Sequence, residues 1–255
     1  MDKKFFNRVE KKYIIDDNQY KTLLKEINKN MKKDEYFRSD VFNIYFDTDN
    51  YDLIIQSIDN PFFKEKLRAR SYGGYDKVFL EIKTKIRGAA YRRKVLREKG
   101  LAKDTNLGYK RRILITKKEY EKFSNNEIAA EELILKKDGE FTDLQVAREI
   151  DYIIKHFNLK PKLLNYYERE SFTGENSLRI TFDKNLRFRD KNLRFLKKNT
   201  DEAFFKNEKN IIMEIKAGGV LPLWLVKLLS AEHIYPTHFS KIGKIYETLR
   251  KEKNV

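Results

Sequence analysis

In six stretches of this chain, basic and acidic side chains recur at alternate positions: Arg8-Val-Glu10-Lys-Lys12, Lys66-Leu-Arg68-Ala-Arg70, Glu81-Ile-Lys83-Thr-Lys85, Arg92-Arg-Lys94, Tyr167-Glu-Arg169 and Glu214-Ile-Lys216. A strand sends residues i, i+2 and i+4 to one face, so each stretch builds a charged face opposite an apolar one. Any one of them reads equally well as the wet side of an antiparallel sheet. Together they are harder to dismiss. Solvated faces mix Ser, Thr, Gln and Asn with their charges, whereas these are dominated by Lys, Arg and Glu, which repel along a face unless counter-anions are present. A barrel with a charged interior, its apolar residues turned outward against helices, accounts for both sides of the alternation.

The chain has 255 residues, enough for one large domain or two small ones, and no stretch rich in Gly, Pro or Ser divides it. The expectation is a single α+β domain over residues 1–255. Its 18 Phe and 15 Tyr supply core material, and 55 Lys+Arg against 39 Asp+Glu leave a formal charge of +16. That excess calls for an anionic partner, although a Lys- and Asn-rich composition accounts for part of it. Without Cys, disulfides, thiolate metal sites and cysteine nucleophiles are excluded. The first residues carry no apolar signal region, and no stretch approaches the ~18 uncharged apolar residues of a spanning helix. A cytoplasmic location follows as the expectation, unless a separate membrane subunit recruits the chain.

Along the chain, residues 5–15 predict a strand, and Asp16 or Asp17 caps a helix bearing Tyr20, Leu23, Leu24 and Ile27. Val41–Phe46 predicts a strand, and Gly73-Gly74 joins two more, 62–72 and 77–86, as a hairpin. Basic strands follow at 90–96 and 109–115, the second leading to a Thr116/Glu119 capping box and a helix to about Phe123. Helices are predicted over ~126–136 and ~142–158, strands over 163–172, 178–182 and 211–216, and helices over 224–229 and ~240–251. Residues 188–199 are ambiguous. Eight to ten strands result, with helices inserted.

The chain has neither Gly-x4-Gly-Lys-Ser/Thr nor Gly-x-Gly-x-x-Gly, and three scattered His residues do not make a His metal site. Lys and Arg instead neutralise phosphate oxygens, Arg bidentately and Lys as a point charge. Glu10, Glu81 and Glu214 each stand two residues before a Lys of the same strand face. They either ligate a divalent metal together with substrate phosphates, or pair with their basic neighbours and orient them. His238 lies in a basic turn entering the last helix, where a helix N-terminus favours phosphate and an ordinary cap is the equal alternative.

In sequence, Arg8-x-Glu10-x-Lys12 resembles the Glu-x-Glu-x-Lys signature of triphosphate tunnel metalloenzymes, with Arg in place of the first Glu. Tyr45-Phe-Asp-Thr48, Lys66–Gly73, Phe79–Lys83, Tyr167–Phe172, Leu178–Asp183, Met213–Lys216 and Phe239–Lys241 resemble the VTC-domain branch of that superfamily. The resemblance implies an eight-stranded antiparallel β tunnel with surrounding helices that binds a nucleoside triphosphate and Mn²⁺ or Mg²⁺. VTC-type members are polyphosphate polymerases, metal-dependent phosphotransferases that move the γ-phosphate of ATP onto a polyphosphate chain. Lys12, Lys66, Arg68, Arg70, Lys83, Arg169, Lys216 and Lys241 then fall at phosphate-binding positions, and Glu214 at the metal-binding carboxylate. The basic strand after Lys83 is Arg92/Lys94 by spacing or Lys110/Arg112 by the Thr116 cap, and the reading takes Arg92 and Lys94. His238 stands where the polymerase pattern has Lys.

Polymerase and triphosphatase share one such site. A tunnel-type triphosphatase, an adenylyl-cyclase-like relative and a non-catalytic subunit binding polyphosphate or inositol pyrophosphate are therefore the alternatives. Nucleic acid is disfavoured, because most Phe and Tyr alternate against the charges instead of sharing their face.

Overall fold

The computed structural model describes residues 9–59, 63–86, 107–137, 139–198, 201–203 and 210–252. The strand predicted over 90–96, with Arg92 and Lys94, lies outside the described residues. Among the described residues nine strands are present: β1 (Val9–Ile15), β2 (Lys32–Asp47), β3 (Phe63–Tyr72), β4 (Val78–Ile86), β5 (Leu107–Ile115), β6 (Lys160–Thr173), β7 (Arg179–Arg189), β8 (Glu202–Ala203) and β9 (Ile211–Ala217). The helices among the described residues are α1 (Asp17–Asn30), α2 (Asp52–Ile58), α3 (Lys117–Ser124), α4 (Ala130–Leu135), α5 (Phe141–Phe157), α6 (Leu223–Ala231) and α7 (Lys241–Glu252).

The strands form one sheet in the order β1-β9-β7-β6-β2-β3-β4-β5, with the two-residue β8 paired to β7 off this path. The α+β class and the eight-strand antiparallel path match the sequence expectation. The barrel does not close among the described residues: β1 and β5 end the order and are not paired with each other. Two strands are longer than their apolar runs predict. β2 begins at Lys32 and β7 continues to Arg189; in β2 the positions before Val41 are exposed or half-buried, so the apolar run starts only at Val41.

By contacts the chain divides into two compact units. The first comprises Met1–Val41, Tyr166–Phe188 and Lys197–Lys241; the second comprises Phe42–Asn165, Arg189–Leu196 and Ile242–Val255. In the first unit, Tyr13 and Ile15 of β1, Phe182 of β7 and Met213 and Ile215 of β9 share a core with Leu23 and Ile27 of α1 and Leu225 and Leu229 of α6. Burying such a side chain stabilises by roughly 1.5–3 kcal/mol, which holds α1 and α6 to the apolar side of the sheet. Asp16 caps α1 in a capping box with Gln19, accepting from the N–H groups of Asn18 and Gln19.

In the second unit the buried positions alternate along the hairpin: Leu67 and Ala69 in β3, then Leu80 and Ile82 in β4. α2 packs on β3, α5 on β5 and α4 on α5. The hairpin turns through Gly74, whose φ of +84° favours glycine. The predicted Thr116/Glu119 box opens α3 with both reciprocal bonds in place. Past the end of β9, the segment carrying Thr237 lies against β1: Thr237 donates its N–H to the Lys12 carbonyl at 2.8 Å, and Lys12 Nζ donates to the Phe239 carbonyl at 3.2 Å.

Candidate functional site

Two cationic clusters occupy charged strand faces, one in each unit. In the second unit, register aligns Lys66 of β3 with Lys83 of β4, and Lys83 with Lys110 of β5. The next row of the same face is Arg68, Glu81 and Arg112. Like charges directly opposite on adjacent strands cost a sheet some stability, which a negative group nearby offsets. Glu81 supplies part of that. It is 1% exposed, and its Oε2 accepts from Arg68 Nε at 2.8 Å and from Nη2 at 2.6 Å. Lys110 Nζ sits 2.5 Å from Oε1 in an ion pair, and Arg70 Nε lies 4.0 Å from Oε2. Burial pushes the Glu81 carboxyl up, but the charges of Arg68, Arg70 and Lys110 outweigh it and hold the group at about 2.

A carboxylate so surrounded fits the orienting role open for Glu81 better than ligation, since both its oxygens already face cations. Its two bonds fix the guanidinium plane of Arg68, while Arg70 lies within ion-pair distance. Tyr45, buried beside Arg68 with its hydroxyl 3.4 Å from Nη1, registers the local potential. Burial alone would raise its phenol, yet Arg68, Lys66 and Arg70 lower it to about 8. Arg70 also donates to Asn43 Oδ1 at 2.8 Å, and Asn43 Nδ2 donates to Asn165 Oδ1 at 2.9 Å. Arg112 lies over the Phe79 ring at 4.6 Å.

In the first unit, Lys12 of β1 stands opposite Glu214 of β9, and Glu10 opposite Lys216. Lys216 Nζ is 2.5 Å from Glu214 and 4.0 Å from Glu10, so the two carboxylates share a lysine. Burial would raise Glu214; Lys216, Lys12 and Arg169 hold it at about 2. Arg169 of β6 donates from Nε and Nη2 to Asp183 of β7 at 2.6 and 2.8 Å, and Lys241 Nζ reaches the same carboxylate at 2.6 Å. Asp183 is fully buried, and although burial opposes its charge, Arg169 and Lys241 keep it ionised far below the usual carboxylate range. Both cations also lie on the Tyr167 ring, Arg169 at 5.2 Å and Lys241 at 4.7 Å. His238 is exposed, one residue beyond the Thr237 bridge.

The structure thus gathers Glu10, Lys12, Arg169, Glu214, Lys216 and Lys241 in the first unit, and Lys66, Arg68, Arg70, Glu81 and Lys83 in the second. Sequence reasoning missed Asp183, although the stretch Leu178–Asp183 contained it. It also missed Tyr45 and Tyr167 as working members of the clusters. Lys110 and Arg112, the alternative to Arg92 and Lys94, do stand on the charged face of the second unit.

Among the described residues no group of three or more His, Asp or Glu side chains is placed to hold a metal ion. The oxygens near Glu214 nonetheless suit a hard divalent cation. Glu10 is its neighbour across Lys216, and Thr181, opposite Glu214 in register, has a buried hydroxyl oxygen with no hydrogen-bond partner among the described residues. Mg²⁺ and Mn²⁺ are commonly held by one or two carboxylates, with phosphate and water completing the shell, and this donor set fits that pattern.

A family model described as the VTC domain matches residues 7–250. Vacuolar transporter chaperone complex subunit 4 of Schizosaccharomyces pombe is 29% identical over 166 residues, covering 60% of this chain and 21% of that protein. The aligned part is thus about a fifth of that relative's length. Among solved structures, a candidate adenylyl cyclase from Hippeastrum, described as revealing a dominant triphosphatase activity, superposes with a TM-score of 0.52 at 14% identity, covering 94% of this chain and 96% of that one. The PH1819 protein of Pyrococcus horikoshii gives a TM-score of 0.47 at 14% identity, covering 95% and 99%. At these identities the likeness to the Hippeastrum protein is one of fold.

Proposed function

Since this chain belongs to the VTC-domain family, we propose that it is a polyphosphate polymerase, transferring the γ-phosphate of ATP onto the end of a polyphosphate chain. The observation that carries this reading is the cross-strand row of Lys66, Lys83 and Lys110 beside Arg68 and Arg112. Such a ladder is matched by an anion with charges repeated along its length.

Phosphoryl transfer through a loose transition state needs alignment and charge neutralisation more than a protein nucleophile. Arg68 and Arg70, steered by Glu81, bind and orient phosphate oxygens through fixed guanidinium planes. Lys83 and Lys66 in the second unit, and Lys12 in the first, act as point charges on phosphate oxygens. Arg169 and Lys241, pinned by Asp183, meet the charge that develops on the transferring group without reorganising. Lys216 helps hold Glu214 ionised, and Glu214 and Glu10 would be the oxygen ligands of a divalent ion. That ion, Mn²⁺ or Mg²⁺, would neutralise phosphate oxygens and help align the attacking and leaving groups. The attacking group is a terminal phosphate of the acceptor, which needs no base at neutral pH.

In this reading the substrates are ATP and polyphosphate, and the chain works on the cytoplasmic pool of ATP. By analogy with the chaperone-complex subunit it aligns with, a membrane subunit is its proposed partner.

The test is incubation of purified protein with ATP and Mn²⁺, products being resolved on a polyphosphate gel. A ladder of long chains is expected. Lys83→Ala and Glu214→Ala should each lower its yield by about a hundredfold or more, with melting temperatures near wild type. Free phosphate alone would move the protein to the triphosphatases. Neither product, with triphosphate still bound, would leave a binding subunit.

A further inference from the structure

On the charged face of the second unit, Arg68 and Arg70 stand two residues apart on β3 and are held in different ways. The cross-strand partner of Arg68 is Glu81; that of Arg70 is Phe79. Arg68 engages all three of its guanidinium nitrogens: Nε and Nη2 donate to Glu81 Oε2, and Nη1 lies 3.4 Å from the Tyr45 hydroxyl. Arg70 engages one. Its Nε donates to Asn43 Oδ1 at 2.8 Å, and Nη1 and Nη2 make no hydrogen bond among the described residues. The Glu81 carboxylate lies 4.0 Å from that same Nε.

Behind Arg70 stands a pair of buried amides, both in the second unit. Asn43 of β2 is 1% exposed and Asn165 of β6 is 2% exposed, and Asn43 Nδ2 donates to Asn165 Oδ1 at 2.9 Å. The direction of this relay is set by the arginine. A guanidinium has only donors, so Asn43 must turn its oxygen to Arg70 and its amino group away. Asn165 must then offer its own oxygen to that amino group. Its Nδ2 is left buried with no hydrogen-bond partner among the described residues. A buried donor without an acceptor destabilises, and two apolar side chains would avoid that loss. What the amides supply is an acceptor for Arg70 that is fixed through two further strands.

An amide and a carboxylate hold an arginine with different electrical results. The Glu81 charge offsets much of what Arg68 carries, whereas a neutral amide leaves the charge of Arg70 whole. With Nε held, Nη1 and Nη2 present N–H groups that match two oxygens of one phosphate.

Resting on the reading of this face as phosphate-binding, we infer that Asn43 and Asn165 are positioning residues for Arg70. They hold its Nε without neutralising it, so that Nη1 and Nη2 grip two oxygens of one phosphate group in a triphosphate or polyphosphate.

The experiment titrates the full chain calorimetrically with inorganic tripolyphosphate and follows melting temperature in parallel. Wild type should bind. Asn43→Asp keeps an acceptor for Nε, and Asn165, turned over, can donate to its second oxygen. The added negative charge should therefore lower tripolyphosphate affinity about tenfold or more, with no fall in melting temperature. Asn165→Leu removes the acceptor behind Asn43 and should weaken binding roughly threefold. In an Arg70→Lys background, which lacks the guanidinium fork, Asn165→Leu should have no further effect on affinity.

Unchanged affinity in Asn43→Asp would overturn the proposal, as would an Asn165→Leu loss that persists in the Arg70→Lys background; either would reduce the amide pair to packing. Wild type that binds no tripolyphosphate would overturn it too. Should Asn43→Asp fail to fold, the cycle of Arg70→Lys and Asn165→Leu decides alone. Binding as expected, with no ladder of chains from ATP, would leave Arg70 and its amides in place and remove only the polymerase reading.

Discussion

Asp183 receives two cations on a fully buried carboxylate, and this sets how firmly Arg169 and Lys241 are held. Removing one partner from such a cluster leaves the others as uncompensated buried charges, which costs about 3–5 kcal/mol. Asp183→Asn should therefore lower unfolding free energy by that amount in urea titration. Glu81 and Glu214 make a different prediction. Both are held at about 2 in the folded protein, against an ordinary Glu value of ~4.3 in the unfolded chain. A lowered folded value contributes stability that is complete above the unfolded pKa and is lost as pH falls toward the folded one. Stability should fall between about pH 5 and pH 2, and Glu81→Gln should flatten that fall; an equally steep decline in the variant would contradict it. Asp183 was not legible in advance because its partners lie 14 and 58 positions away in sequence and no local period announces them. The alternating stretches on β1, β3, β4, β6 and β9 were legible because their signal is local.

The β3–β4 hairpin shows how one residue fixes a register that places a whole charged face. With Gly74 at φ +84°, Arg68 falls opposite Glu81 and Lys66 opposite Lys83. A Cβ at position 74 would meet nothing within 4 Å, so Gly74→Ala is penalised by backbone conformation alone. The expected loss is about 1 kcal/mol, seen as a lower urea midpoint at unchanged slope. This hairpin could be read from Gly73-Gly74 and its flanking alternation, and the α3 cap from Thr116 and Glu119. The opening half of β2 could not. Between Lys32 and Asp40 no position is fully buried, so hydropathy carries no period there and only strand pairing defines the element.

At the scale of the molecule, the sequence marks which strands are charged but not which are neighbours. β1 lies beside β9, some two hundred residues later, and β6 beside β2. Such pairings are set by non-local packing, which is why the two clusters could be listed as residues but not divided between two units. Open ends are the corresponding liability of a sheet in this order. Among the described residues β1 is a terminal strand, and a terminal strand offers its free backbone groups to any passing chain. The short segment around Thr237 occupies part of that edge, taking the Lys12 carbonyl while Lys12 itself reaches back to Phe239. The contact that fixes Lys12 thus also obstructs the edge as a template for aggregation, so pairing of copies through that strand is discouraged.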